Sequence, residues 1–428
     1  MLRSHLLPEY YGRVVTCEPV GRFIRMSTID WKDGLGVADN SFPKSEFIRS
    51  TDAYFRPVWT ETAPDGTLVF SDLYRGIIQE KAWFPTEPNQ KPAEWVERYH
   101  RVKKWGMLKV FRHGRIYRMV PEGKQTGPQP RMLDETPVQL VAHLAHANGW
   151  WRDTAQKLIV SRGDKSAIPA LTAMATTHAD INARIHAMWT LQGLGALAKE
   201  TIVAAAKHES PRVRRAAVQL AEPLLISKDA DIAKTLAGML SEADAQVRTQ
   251  IFLANRAAGI AQPSELTAQP GPIISALLEK ERADGLVAAL GESGKQGKQI
   301  YETLCTTCHG PDGKGVLAGD KFLAPPLAKS EWFKRNGNVE MLARIVLKGQ
   351  TGPVDGVNYG EGLMLALEQT YNDEQLANVL NFIGQRWHDW KKPAAAADIA
   401  AVRKEIADRK TPWTQDELKS LGKAKARK

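Results

Sequence analysis

Hydrophobic and polar residues alternate over short stretches in the first 120 residues, which is the pattern of half-buried β-strands. Runs of β-branched and aromatic residues are separated by clusters of Gly, Asp and Pro, and the predicted strands include residues 13–17, 22–26, 67–70 and 115–120. Asp65-Gly66 lies next to one such run, where it predicts a hairpin turn. The sequence therefore predicts an all-β domain over residues 1–122.

The hydrophobic period changes to that of amphipathic helices over residues 137–292, which are rich in Ala and Leu. Four related segments recur there, each with an arginine at the same place: Arg152, Arg184, Arg214 and Arg248. This recurrence resembles HEAT-type repeats, with a somewhat shorter period. Helix pairs of this kind complete their core only against neighbouring repeats, so an α-solenoid is expected, with binding or spacing as its role.

Helical patterns continue to the end of the chain. Residues 338–348 form an amphipathic pattern, and Asn372 stands three residues before Gln375, as at a capped helix start. Residues 391–428 predict an Ala-rich helix followed by a second capping box at Thr414 and Glu417, with Trp413 as its hydrophobic staple. We expect this last segment to pack back on residues 293–390, which form a domain of their own.

The composition is that of a soluble multidomain protein. The chain has 428 residues, of which 43% are hydrophobic and 25% charged, and it has no apolar run long enough to span a membrane. Much of the net charge of +10 comes from residues 391–428, and we interpret their final basic run, Lys423-Ala-Lys-Ala-Arg-Lys428, as a solvated, frayed end. The basic residues do not form a stripe with interleaved aromatic residues, so a nucleic-acid-binding solenoid is disfavoured.

The segment Cys305-Thr-Thr-Cys308-His309 is the pattern by which a chain binds haem c. Two cysteines three positions apart can each add a thiol to a vinyl group of the porphyrin, and the adjacent His309 can bind the iron. A zinc site would need four ligands, and the remaining cysteine, Cys17, is distant in sequence. A thioredoxin-like dithiol would need a strand, loop and helix that the surroundings of Cys305 do not suggest. One covalent haem c is therefore predicted.

The haem pocket is expected to include Pro325 and Pro326, because their rigid, extended segment can offer a carbonyl group to the Nδ1–H of His309. Together with the final helix, this arrangement resembles an all-α class I mono-haem cytochrome c over residues 294–389. The resemblance implies a methionine as the second axial ligand, in the loop before that helix, where Met364 lies.

Two residues are alternatives to Met364 as iron ligand. Met341 lies in the amphipathic pattern of residues 338–348, where it is more typical of core packing. His388 lies at the far end of the final helix. Leu365 follows Met364, whereas many members of the family have proline there.

Residues 51–58, 63–66 and 71–78 resemble the closing blades of sugar-dehydrogenase-like β-propellers found fused to cytochrome c in planctomycete and verrucomicrobial proteins. A propeller needs at least four blades of about four strands each, so residues 1–122 would be a truncated part of one. The chain begins without a signal peptide, which also led us to expect a fragment of a longer, exported protein. Pyrroloquinoline quinone (PQQ) is expected only in that longer parent protein. Arg56 and Arg75 are candidate anion contacts, with surface or blade-bridging arginines as the preferred interpretation.

The function predicted from these features is electron transfer, from a quinoprotein-like sugar or alcohol dehydrogenase domain to a redox partner protein, in the periplasm or another exported location. No catalytic residue is predicted, and whether the chain is part of an enzyme depends on the dehydrogenase portion. The alternative is a solenoid that docks a protein partner, with haem as a sensor or structural group. His143 and His146 share a helix face and could bind a metal, but ordinary structural histidines are favoured.

Overall fold

The computed structural model describes residues 1–78, 97, 100–107, 109–110, 112–334, 339–360, 363–390 and 392–425. These divide into two compact units, Met1–Ile273 and Ile274–Lys428. The boundary between the units falls before residue 292, where the sequence had placed the end of the helical repeats.

The first unit begins with antiparallel β-sheets, as predicted. One sheet has the order β1-β2-β3, with β4 also pairing with β2, and the other has the order β5-β6-β7. The strands are β1 Val14–Glu18, β2 Phe23–Lys32, β3 Leu35–Asn40, β4 Ile48–Arg49, β5 Pro57–Thr62, β6 Leu68–Asp72 and β7 Arg115–Met119. The predicted hairpin turn joins β5 to β6, and Gly66 there has φ +90°, which favours glycine. The assignment of these sheets to a β-propeller stays a prediction.

Helices follow in the first unit. They are α1 Pro137–Ala142, α2 Gly149–Arg162, α3 Ile168–Thr177, α4 Ile181–Gly193, α5 Lys199–Ala205, α6 Pro211–Ile226, α7 Ala230–Ala237, α8 Ala245–Ala257 and α9 Ser264–Thr267. The helices that carry the recurring arginines, α2, α4, α6 and α8, pack successively against one another. Their identity as HEAT repeats stays a prediction.

Three of the four recurring arginines share a structural role at the start of their helices. Arg152, Arg184 and Arg214 each donate to the backbone carbonyl of a histidine six residues earlier, namely His146, His178 and His208, at 2.5, 2.5 and 2.8 Å. The Nδ1 atom of each histidine accepts the backbone N–H of the residue two positions later, at 2.9–3.0 Å. In the fourth segment Glu242 accepts the corresponding N–H. These three histidines therefore cap the loops before α2, α4 and α6. The shared cap is a structural reason for the similarity of the repeated segments.

The second unit is mainly helical. Its elements are α10 Pro272–Ile300, α11 Thr306–His309, β8 Leu317–Ala318, β9 Lys321–Phe322, α12 Glu331–Lys334, α13 Val339–Lys348, β10 Gln350–Thr351, β11 Leu363–Met364, α14 Asp373–His388, α15 Ala396–Glu405 and α16 Gln415–Lys425. A π-helical turn, Tyr301–Cys305, joins α10 to α11, and α10 bends at Gly291. The capping box predicted at Asn372 and Gln375 is present at the start of α14.

The stretch of residues 396–421 near the C-terminus contributes to the second unit's core. Ile399, Val402, Trp413 and Leu418 are buried in the same hydrophobic cluster as residues of α13 and α14. Its cations form ion pairs, including Arg403 with Asp373 at 2.8 Å. The expectation that this segment packs on residues 293–390 is confirmed for these buried residues, and the interpretation of the final run, residues 423–428, as a frayed end stays a prediction.

Candidate functional site

The three residues of the Cys-x-x-Cys-His motif lie on one short helical stretch formed by the π-helical turn and α11. Tyr301, which is fully buried, anchors the start of this stretch by donating its hydroxyl to the carbonyl of Gly310 at 2.5 Å. Gly310 ends the helix with φ +75°. The hydrogen bond thus connects the two ends of the stretch. Cys305, Cys308 and His309, which lie between them, line the same cavity.

A close helix crossing sets the position of this stretch. A Cβ atom on Gly297 would lie 2.3 Å from the carbonyl oxygen of Asn378, so only glycine permits α10 to approach α14 this closely. The Nδ2 atom of Asn378 donates to Gln296 at 2.8 Å beside the crossing. The final helix therefore packs directly against the helix that leads into the motif.

His309 is oriented by a backbone carbonyl. Its Nδ1 atom lies 2.9 Å from the carbonyl oxygen of Pro325, the contact expected from the sequence. A carbonyl oxygen can only accept, so Nδ1 carries the proton and Nε2 keeps its lone pair for a metal. Burial lowers the pKa of His309, which further favours the neutral imidazole.

The motif opens into a cavity of about 320 Å³ within the second unit. Its walls are largely apolar, and they include Leu323, Ile345, Val346, Leu380 and Ile383. This volume and lining are typical of sites for organic ligands or cofactors, which are ~300–1,000 Å³ and mainly hydrophobic.

The predicted pocket residues line this cavity. Pro325, Pro326 and Met364 are all in its wall, together with the two motif cysteines and His309. Met341 is buried in the core and is absent from the described lining. His388 is also outside that lining, and its Nε2 atom lies 2.7 Å from the carbonyl oxygen of Leu327. The structure brings Met364 to the motif's cavity, and its role as iron ligand stays a prediction.

The Cys305 thiol lies in the cavity wall and holds its proton at neutral pH. Burial, with a smaller contribution from Cys308, raises the pKa of the Cys305 thiol to about 12. Zinc binding requires thiolates. Among the residues that the structure describes, no group of three or more His, Cys, Asp or Glu side chains could bind a metal ion.

The residues present fit a haem group, and Gln350 adds an observation that the sequence did not suggest. Gln350 lies directly opposite Met364 in the β10–β11 pair, and both side chains line the cavity. Its Nε2 atom is buried and has no hydrogen-bond acceptor within the described parts of the chain. A buried amide donor without a partner is costly. A carboxylate-bearing, flat apolar group in the cavity would supply the acceptor, and haem is such a group.

Sequence reasoning missed Gln350 and Tyr301 as residues that shape this site. A two-residue strand gives no periodic signal, so the pairing of Gln350 with Met364 could not be found from the pattern. Tyr301 was recognised only as one of the apolar residues before Cys305. Its position four residues before Cys305 was the sequence signal that could have identified it as a residue of the site.

The other candidate residues of the sequence have structural roles. Arg56 is buried and its guanidinium donates to the carbonyls of Pro19, Val20, Arg75 and Gly76, which excludes the role of an anion contact. His143 lies 2.7 Å from Glu135, and His146 stacks on Trp151.

In the described parts of the chain, no helix is both long enough and apolar enough to cross a bilayer.

Comparison with known proteins separates the chain into two matched regions. Residues 294–387 match the family described as cytochrome c, and residues 1–123 match a family described as a domain of unknown function (DUF7133). The chain is similar to a cytochrome c-552 of Thermus thermophilus, with 33% identity over 144 residues, 32% of this chain and 93% of that protein.

Two further relatives match about the same share of the chain. A second cytochrome c-552 of Thermus thermophilus is 34% identical over 133 residues, 29% of this chain and 96% of that protein. The gluconate 2-dehydrogenase cytochrome c subunit of Pantoea cypripedii is 32% identical over 117 residues, 27% of this chain. The match spans only 25% of that subunit.

Proposed function

Since this chain belongs to the cytochrome c family through its C-terminal part, we propose that it carries one covalent haem c and transfers single electrons between a dehydrogenase and an external acceptor. The bound haem supplies a reversible one-electron couple. The observation that carries the proposal is the shared cavity: the attachment cysteines, His309 with its Nδ1 atom engaged, and Met364 all line it.

The chain's own residues would fix the haem and set its potential. Cys305 and Cys308 bind the porphyrin, and His309 presents Nε2 to the iron because Pro325 holds its other nitrogen. Met364 offers a thioether, a soft ligand that stabilises ferrous iron and raises the potential. The apolar wall excludes water and favours the less charged ferrous state. It therefore also raises the reduction potential.

A sugar- or alcohol-oxidising dehydrogenase is the electron donor that we propose. The support is the similarity to a protein named as the cytochrome c subunit of gluconate 2-dehydrogenase. The resemblance of residues 51–78 to dehydrogenase-like propeller blades points to the same class of donor. Because haem c attachment is typical of exported proteins, we propose a periplasmic or equivalent location.

Attachment is tested by expressing the chain with a haem c maturation system. The purified protein is expected to gain the mass of one haem, which denaturation does not remove. The double variant Cys305→Ala, Cys308→Ala is expected to lack covalent haem, whereas Cys17→Ala, on a strand of the other unit, keeps it. A wild-type chain without covalent haem, or with more than one, would contradict the proposal.

A further inference from the structure

The C-terminal segment, residues 396–425, contacts the loop that carries Met364. We define the Met364 loop as the described residues between α13 and α14, namely 349–360 and 363–372. At the start of this loop the N–H of Trp413 donates to the carbonyl of Gly349 at 3.0 Å, and the N–H of Thr351 donates to the carbonyl of Trp413 at 2.8 Å. Trp413 thus pairs with one edge of β10.

Met364 pairs with the other edge of the same strand. In the β10–β11 register Gln350 is opposite Met364, while a parallel bridge connects Gln350 to Trp413. β10 therefore lies between the segment's backbone and the backbone of Met364. Pairing on both edges fixes a strand that has only two residues.

The far end of the Met364 loop is held by Arg403 of α15. Its guanidinium donates to the carbonyl of Glu368 at 2.8 Å and to the carbonyl of Tyr371 at 3.1 Å, and it pairs with Asp373 at 2.8 Å. The planar guanidinium group of Arg403 thus connects three points of the chain just after Met364.

A third contact lies in the middle of the loop. The carboxylate of Asp355 accepts from Gln415 Nε2 at 2.9 Å, and its backbone N–H donates to Gln415 Oε1 at 2.8 Å. Gln415 is buried at 7% exposure, whereas the side chain of Asp355 is 64% exposed and also pairs with Lys419 at 3.2 Å. The segment therefore holds the loop at its beginning, middle and end.

The loop depends on such contacts for its order. Gly349, Gly352, Gly356 and Gly360 all have positive φ, and glycine loses the most conformational entropy on ordering. The strand pair β10–β11 has two residues on each side, and an isolated pair of strands is marginal in water. The contacts with residues 396–425 supply the stability that the loop itself lacks.

We propose that the C-terminal segment is a positioning element for Met364, with Arg403 as its principal residue. The inference rests on the proposed function, in which Met364 binds the haem iron. By holding the loop, the segment keeps the thioether at the iron. We call the state in which Met364 has left the iron, so that an external ligand can bind, the open state. The segment keeps the population of this open state low. Arg403 acts through the loop and does not touch the cofactor.

The population argument gives a measurable consequence. Imidazole binds ferric iron only when Met364 is displaced, so its apparent dissociation constant is the intrinsic constant divided by the open fraction. A variant that frees the loop raises the open fraction and lowers the apparent Kd in proportion. A variant that only destabilises the fold does not change this fraction in the native protein.

Arg403→Met and Glu405→Gln form a matched pair of variants in the full holoprotein. Both change a charged residue of α15, but Glu405 pairs with Arg344 of α13, at 2.6 Å, and not with the loop. The measurements are the imidazole Kd of the ferric protein and the weak near-infrared sulfur-to-iron band. Arg403→Met is expected to lower the Kd about tenfold, Glu405→Gln to leave it unchanged, and Arg403→Lys to give an intermediate value.

The outcomes separate this inference from the proposed function. Equal imidazole Kd values for wild type and Arg403→Met, with the near-infrared band present in both, would refute the positioning role and leave Met364 ligation intact. Equal decreases for Arg403→Met and Glu405→Gln would also refute it, because a loosening of α15 as a whole, and not the contacts of Arg403 with the loop, would then explain them. A wild-type holoprotein without the band would refute Met364 ligation and the positioning role together.

Discussion

The Nδ1 atom of His309 lies 2.9 Å from the carbonyl oxygen of Pro325. The partner is a backbone group in a segment with two consecutive prolines, so it cannot rotate away as a side chain could. This contact fixes both the orientation and the tautomer of the imidazole. It also makes the electron-donating strength of His309 dependent on the rigidity of residues 323–327.

Pro325→Gly is expected to raise the reduction potential of the holoprotein. The freed backbone weakens the hydrogen bond to Nδ1, His309 becomes a poorer donor, and ferrous iron is favoured. The free energy of unfolding should fall by about 1 kcal/mol, because the unfolded chain gains freedom. Redox titration and denaturant unfolding test this. The control is Pro393→Gly at an exposed site, which should lower stability without changing the potential.

Tyr301→Phe is expected to lower the free energy of unfolding by about 1 kcal/mol near neutral pH, through loss of the hydrogen bond to Gly310. Burial raises the pKa of Tyr301 above its ordinary value of 10. The folded state therefore retains the phenolic proton longer than the unfolded state, and wild-type stability should decline as pH rises above about 10. Denaturation of both proteins between pH 8 and pH 11 (approximate limits set by that pKa) tests this. A stability gap that widens above pH 10 would contradict the assignment.

His186 is expected to make the first unit sensitive to acid. Burial, aided by the nearby Arg152, lowers the pKa of His186 from 6.5 to about 4. The unfolded state then binds the proton more readily, so stability is complete above pH 6.5 and is lost as pH falls towards 4. The loss should reach up to about 3 kcal/mol. Acid unfolding followed by circular dichroism should show a weaker pH dependence for His186→Gln, and an unchanged profile would contradict the low pKa.

Features set by local sequence were predicted correctly. The hairpin at Asp65-Gly66 and the capping boxes at Asn372 and Thr414 each depend on residues at most a few positions apart. The cytochrome c domain is confirmed by the family match over residues 294–387. Its motif also depends on local spacing.

Features set by distant contacts were not predictable in the same way. Hydrophobic periodicity shows that α15 has an apolar face but does not show which residues that face contacts, so the contacts of Arg403 with Glu368, Tyr371 and Asp373 were not predicted. Trp413 was expected to be a staple for its own helix, and its backbone pairing with Gly349 and Thr351 has no sequence signal. Arg56 was expected at the surface, or bridging blades, because arginine is usually exposed. Four carbonyl acceptors from two segments, residues 19–20 and 75–76, offset the free-energy cost of its burial.

The most direct test of the account is the absorption spectrum of the ferric holoprotein for wild type, Met364→Ala and Met341→Leu. The account predicts a low-spin haem c with a weak near-infrared sulfur-to-iron band that disappears in Met364→Ala. It predicts that the band remains in Met341→Leu, a volume-conserving change in the core that costs less than about 1.5 kcal/mol. An unchanged spectrum in Met364→Ala, or loss of the band in Met341→Leu alone, would contradict the assignment of Met364 as the axial ligand.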